Sequence, residues 1–177
     1  HSLNAAQIFG NCVKKTKEAA YLIEDLGFDL IDLNCGCPVK KVVNTGCGSA
    51  LLLYPEKIGE IIYELISALK IPVSLKIRIG WDADQISAYK IVKLAEEAGA
   101  AFITIHGRTR NQFYSGDVDH AVIKECKKTA KSLPVFANGD VIDGPTAEKM
   151  FEKTSCDGIM IGRAALEKPW IAEEIRH

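Results

Sequence analysis

The chain has 177 residues, 47% of them hydrophobic, and a formal net charge of −1. That apolar content supports a core within one domain or part of one and argues against disorder, while the near-neutral charge leaves no overall basic footprint for nucleic acid. No run approaches the roughly 18 apolar residues of a membrane span, and the N-terminal stretch, with Asn4, Gln7, Lys14 and Lys15, lacks a signal-peptide core, so the expected compartment is the cytoplasm and the six cysteines are expected to be reduced.

Short β-branched runs alternate with longer segments of helical period. The first strand spans Ala5 to Phe9, and a helix from about Lys14 to Leu26 stops at Gly27. A second strand, Phe28 to Asn34, ends in Asn34-Cys35-Gly36-Cys37-Pro38, where Gly36 permits unusual backbone angles and Pro38 stiffens the presentation of the Cys37 thiol. Pro55 opens the next helix as a first-turn proline, followed by a strand at Val73 to Ile79 and a helix from about Asp84 to Ala98 before Gly99. Phe102 to His106, a helix at about Val118 to Lys131, Val135 to Asn138, a helix capped by Asp143 with Pro145 in its first turn, Gly158 to Ile161 and a helix after Arg163 complete the series. Strict alternation implies parallel strands with right-handed crossovers.

Side-chain alternation decides between a barrel and an open doubly wound sheet. One set is apolar throughout, including Ile31, Leu33, Leu75, Ile77, Ile103, Ile105, Val135 and Ala137, and faces the helices. The other contains Gln7, Asp32, Asn34, Ser74, Lys76, Arg78, Thr104, His106 and Asn138. A doubly wound sheet requires both faces apolar, so the polar set points to the interior of a (β/α) TIM-type barrel, with function at the carboxyl ends of its strands. An internal Asp32–Lys76 pair accounts for part of this polarity; a bound, partly anionic ligand accounts for Gln7, Asn34 and His106 as well. Asn138-Gly139-Asp140 and Gly162-Arg163, after the last two strands, are suited to its phosphate through backbone N–H groups and the Arg163 fork. The spacing of Cys35, Cys37 and Cys47 does not match a metal site.

The chain resembles the flavin-dependent tRNA-dihydrouridine synthases. The resemblance is carried by Gln7-Ile8-Phe9-Gly10, Asp32 through Pro38, Lys76 through Trp81, His106-Gly107-Arg108-Thr109 with Tyr114 and Gly116, Asn138-Gly139-Asp140 and Met160 through Arg163. It implies FMN at a barrel mouth, with Gln7, Lys76 and His106 around the flavin and Asn138, Gly139, Asp140, Gly162 and Arg163 around its phosphate. It also implies NADPH as reductant, hydride delivery to C6 of uridine, Cys37 as donor of the C5 proton, Asn34 as a uracil contact and tRNA as partner. Lys40, Lys41 and Arg108, basic residues near the mouth, are candidate contacts to RNA phosphates, with ordinary solvated surface as the alternative. A thiol suits such a donor because it is protonated near neutral pH yet acidic enough to release its proton in the transition state.

Against that family pattern, residues 1–177 correspond to about six of the eight βα units of the catalytic barrel, without two N-terminal units and the C-terminal helical tRNA-binding domain. Open barrel edges then favour self-association. Two further readings stay open: another FMN barrel acting on a small molecule, similar to dihydroorotate dehydrogenases, and a non-catalytic fragment.

Overall fold

The computed structural model describes residues 3–176. Six parallel strands, β1 Ala5–Ile8, β2 Leu30–Cys35, β3 Val73–Arg78, β4 Ile103–His106, β5 Val135–Asn138 and β6 Gly158–Met160, are hydrogen-bonded in chain order. Each connection carries a helix, giving the α/β, TIM-barrel type of architecture expected from the side-chain alternation. The sheet has β1 and β6 as its edges. No described helix is long and apolar enough to cross a membrane.

The apolar set forms the layer between strands and helices: Ile31, Leu33, Leu75, Ile77, Ile103, Ile105, Val135 and Ala137 are all fully buried. Helix α3, Pro55–Ala68, contributes Ile58, Ile61, Ile62 and Leu65, whose three- and four-residue spacing makes one stripe against the sheet. Cys35 also faces this layer, and burial drives its thiol pKa far upward, leaving an inert apolar group. On the inner face, Phe136 stands beside Thr104 in register and stacks on Phe102 with centroids 4.9 Å apart, so aromatic rings share that face with the polar positions.

Register stacks those polar positions into tiers. Gln7, Asp32 and Ser74 lie side by side across β1, β2 and β3. One tier further along come Asn34, Lys76 and Thr104, and beyond them Arg78, His106 and Asn138. Parallel pairing at these offsets brings residues far apart in sequence to one end of the sheet.

At the opposite end, carboxylates hold the loops that lead into strands. Glu24, at the end of α1 (Val13–Asp25), accepts from the Lys70 and Ile71 amides ahead of β3. Glu96, on α4 (Ala88–Ala98), accepts from the amides of Lys131, Ser132 and Leu133 ahead of β5, which lowers its pKa to about 2.

Several boundaries differ from the sequence reading. Helix α4 begins at Ala88 instead of about Asp84, because Asp82–Gln85 forms a turn that bridges Gly80 to Ile86 and Ser87 donates to the Ile79 carbonyl. Helix α5 is His120–Thr129, with Asp119 as the cap that accepts from the Val122 amide. A short α2, Lys40–Val43, and a 3₁₀ segment, Gly48–Leu53, precede α3 and carry no long periodic stripe that would reveal them. Helix α6, Gly144–Thr154, has the Asp143 cap, completed by Thr146 as a capping box. The final helix is split into α7, Ala164–Glu167, and α8, Ile171–Arg176: Pro169 drives Lys168 to φ −127°, ψ 80°, out of the helical region.

Candidate active site

The carboxyl ends of the strands open into a cavity of about 860 Å³. Gln7, Asn34, Cys37, Lys76, His106, Asn138, Asp140, Gly162 and Arg163 all line it. Gly139 sits immediately behind, where a Cβ would come within 2.7 Å of Val118 Cγ2 and 3.1 Å of the His106 ring; its φ of +125° also favours glycine.

The Asn34–Pro38 turn is held from three directions. Asn34 Oδ1 accepts from the amides of Gly36 at 3.1 Å and Cys37 at 2.9 Å, an Asx-type closure of the turn. Arg78 Nε donates to the Gly36 carbonyl at 3.0 Å, and the Ser49 amide donates to the Cys37 carbonyl at 3.0 Å. Close approach by two glycines makes this possible: a Cβ on Gly36 would stand 3.1 Å from the Ile77 carbonyl carbon, and one on Gly48, at φ +58°, 2.8 Å from the Cys37 carbonyl oxygen. Gly48 and Ser49 were absent from the sequence reading, although the Gly46-Cys47-Gly48-Ser49 run marks an irregular segment.

Behind the turn runs a chain of hydrogen bonds. Asn34 Nδ2 donates to Gln7 Oε1 at 2.8 Å, Gln7 Nε2 donates to Asp32 Oδ2 at 2.7 Å, and Ser74 Oγ donates to Asp32 Oδ1 at 2.6 Å. Asp32 therefore orients the Gln7 amide, which orients Asn34. This replaces the Asp32–Lys76 pair as the explanation of the buried carboxylate: Asp32 makes no ion pair with Lys76 within contact distance. Burial raises the Asp32 pKa against the pull of those two hydrogen bonds.

Lys76, half-buried on the cavity wall, has no hydrogen-bond partner among the described residues. Burial, then the neighbouring Arg78 charge, lowers its pKa to about 8, with Asp32 opposing. His106 is 7% exposed, and its Nε2 is buried without a partner. Burial, followed by Lys76, Arg78 and Arg108, pushes its pKa down to about 3, with Asp140 opposing, so the imidazole is neutral at physiological pH. A buried orphan nitrogen and an unpaired ammonium on one wall form an incomplete polar site that an acceptor-bearing, partly anionic ligand completes.

Tyr114 extends this wall. Arg78 Nη1 donates to the carbonyls of Thr109 at 3.0 Å and Phe113 at 2.7 Å, fixing the loop that carries the ring. The Arg78 and Arg163 guanidiniums lie 5.6 and 4.6 Å from the Tyr114 centroid. Asn138 Nδ2 donates to the Met160 carbonyl at 2.8 Å, tying the ends of β5 and β6. Arg163, 63% exposed, reaches Asp140 Oδ1 at 3.2 Å, and a Cβ at Gly162 would meet nothing within 4 Å, so its backbone is open to the cavity.

Arg108 requires a correction. It is 3% exposed and outside the cavity lining, with its guanidinium engaged by the Gly116 carbonyl and the Asp140 carboxylate, so it presents nothing to an RNA phosphate. The fork geometry that suits arginine to phosphate is occupied internally.

The family model for dihydrouridine synthase matches residues 1–177. The chain belongs to the dihydrouridine synthase family. A probable tRNA-dihydrouridine synthase of Rickettsia bellii is 47% identical over 160 residues, covering 90% of this chain and 49% of that protein. The tRNA-dihydrouridine synthase B of Pseudomonas aeruginosa is 44% identical, over 98% of this chain and 52% of its own length. The chain thus spans about half the length of these curated relatives. Among solved structures, a mandelate oxidase superposes with a TM-score of 0.64 at 18% identity, over 96% of this chain and 56% of that one. The 3,6-anhydro-D-galactonate cycloisomerase of Zobellia galactanivorans gives 0.66 at 11% identity, over 98% and 41%. At such identities these two show a shared fold. For a dihydrouridine synthase family chain, the polar tiers and the Asn34–Pro38 turn at one end of the sheet are the features that distinguish its site from a bare barrel mouth.

Proposed function

We propose that this chain is the catalytic barrel portion of a cytoplasmic flavoenzyme that reduces uridine in tRNA to 5,6-dihydrouridine, with FMN as cofactor and NADPH as reductant. The observation that carries the reading is the convergence on one cavity of a hydrogen-bonded Cys37 turn and of unpartnered Lys76 and His106 Nε2.

The residues present fit a flavin mononucleotide. Gln7, Lys76 and His106 offer donors to the polar edge of a planar ring, and the His106 orphan nitrogen gains a partner there. Gly139, Gly162 and Arg163, with Asn138 holding the strand ends, suit a phosphate. Asp140 belongs to this group through the guanidiniums it holds. When bound, the cofactor supplies the hydride that reaches C6 of the uracil ring.

The protein's own residues then account for orientation and proton supply. Lys76, cationic below pH of about 8, stabilises negative charge in the cavity. Asn34 fixes the Cys37 amide and retains one Nδ2 hydrogen for a uracil carbonyl, since the other is given to Gln7. Cys37 Sγ donates its proton to C5 as charge develops there, and the thiolate is reprotonated from solvent.

The test is mass-based measurement of dihydrouridine in tRNA lacking the modification, incubated with the chain, FMN and NADPH. Cys37→Ala is expected to retain flavin absorbance and lose most dihydrouridine formation. Undiminished formation removes Cys37 from its role; turnover of a free pyrimidine acid without any change in tRNA reverses the assignment of substrate.

A further inference from the structure

One buried cation beside the cavity is not used by the reaction above. Arg108 Nε and Nη2 both donate to the Gly116 carbonyl, at 3.1 and 2.6 Å. Nη1 donates to Asp140 Oδ1 at 2.9 Å, and Nη2 meets Oδ2, closing a two-pronged fork. Gly116 lies in the connection between β4 and α5 that also bears Tyr114, and Asp140 stands in the turn after β5, so a single guanidinium joins two segments beyond the Gly107–Asn138 bond at the strand ends. Both anchor residues have positive φ, +69° at Gly116 and +54° at Asp140, conformations that persist in a non-glycine residue when the surroundings over-determine it.

Asp140 also serves a second guanidinium, on unequal terms. Arg108 holds the carboxylate through a buried fork, whereas Arg163 holds it by one contact at 3.2 Å with its side chain 63% exposed. Burial strengthens the first and water screens the second. The Arg108 fork keeps the Asp140 carboxyl below the usual carboxylate range, so it remains an anion beside a cation-rich wall. Arg163 is thereby tethered over Tyr114 but free to leave for a stronger acceptor.

We propose that Arg108 is a positioning residue: it locks the 109–116 loop to the 139–141 turn as one unit and, through Asp140, poises Arg163 at the mouth for an anionic phosphate group. Only the identity of that anion rests on the flavin reading. Lysine cannot replace the fork, because an ammonium is a point donor.

Hydrogen exchange on the whole chain, without ligand, tests the latch. Arg108→Lys is expected to accelerate exchange of residues 109–116 and 139–141 together, by about ten- to a hundredfold, while β3 and β4 keep their protection. Asp140→Asn, at a half-exposed position, is expected to loosen the same two segments, and the double variant no more than Arg108→Lys alone. Millimolar methylguanidinium is expected to restore protection to Arg108→Ala. Acceleration of one segment alone, additive effects in the double variant, or failure of rescue overturns the latch. In parallel, binding of inorganic phosphate and of FMN is expected to weaken about tenfold in Arg108→Lys; unchanged phosphate affinity in the loosened variant overturns the poising of Arg163. A parent chain that binds phosphate but not FMN leaves the latch supported and removes the flavin reading instead.

Discussion

Replacing His106 by glutamine, which keeps a neutral hydrogen-bonding group near Nε2 and cannot titrate, should change how stability responds to acid. His106 is 7% exposed and surrounded by Lys76, Arg78 and Arg108, so its folded pKa is about 3 against an ordinary value of 6.5. The folded state thus binds fewer protons than the unfolded state between those values. Stability from this site is complete above 6.5 and is lost as pH falls toward 3. At pH 5, about 1.5 pH units under the free imidazole's value, the loss is about 2 kcal/mol. For a domain of this size that corresponds to roughly 4–8 °C in melting temperature. Urea denaturation of parent and His106→Gln at pH 7 and pH 5 measures it: the parent should lose about 2 kcal/mol more than the variant over that interval. Parallel loss in both proteins would refute the argument, because it would mean that the imidazole is charged or solvated in the folded state.

Four further outcomes follow from the geometry. Asn34→Ala strips one acceptor from the Gly36 and Cys37 amides, so urea denaturation should show about 1–3 kcal/mol of lost stability, with faster alkylation of Cys37 as its turn loosens. Gly139→Ala places a Cβ 2.7 Å from Val118 Cγ2 at φ +125°, and should lower stability by about 1–3 kcal/mol and weaken FMN binding, both measurable by thermal melts and fluorescence titration. FMN affinity should fall as pH rises through about 8, where Lys76 loses its charge, and Lys76→Met should remove that inflection. Glu96→Gln should be less stable than the parent at neutral pH, with the difference shrinking as pH falls below the ordinary carboxylate value of 4.5 toward about 2, as followed by denaturation midpoints.

The strands were legible because a two-residue period runs through them, most clearly in β2 and β3: Ile31 and Leu33 against Asp32 and Asn34, Leu75 and Ile77 against Ser74, Lys76 and Arg78. The same period identified the polar interior and hence Gln7, Asn34, Lys76, Arg78, His106 and Asn138 on the cavity wall, whereas the lining contributed by the loops lies beyond its reach. Local signals also marked α3 through Pro55 and α6 through Asp143, since caps and first-turn prolines act within a few residues. Short irregular segments escaped because their hydrogen bonds are made to distant chain: the 3₁₀ segment exists where Gly48 and Ser49 meet the Cys37 carbonyl.

The amino-acid order by itself therefore determined which residues face inward, that strands and helices alternate in parallel, and that a thiol, an amide, a lysine and a histidine reach one end of the sheet. Only the tertiary structure decided which charges answer which. Asp32 turned out to orient Gln7 and bond to Ser74, and Arg108 to brace Asp140 and Gly116 from within. Periodicity reports the direction of a side chain but carries no information on its distance to groups dozens of residues away, and for a buried charge that distance, through desolvation and partner geometry, sets its role.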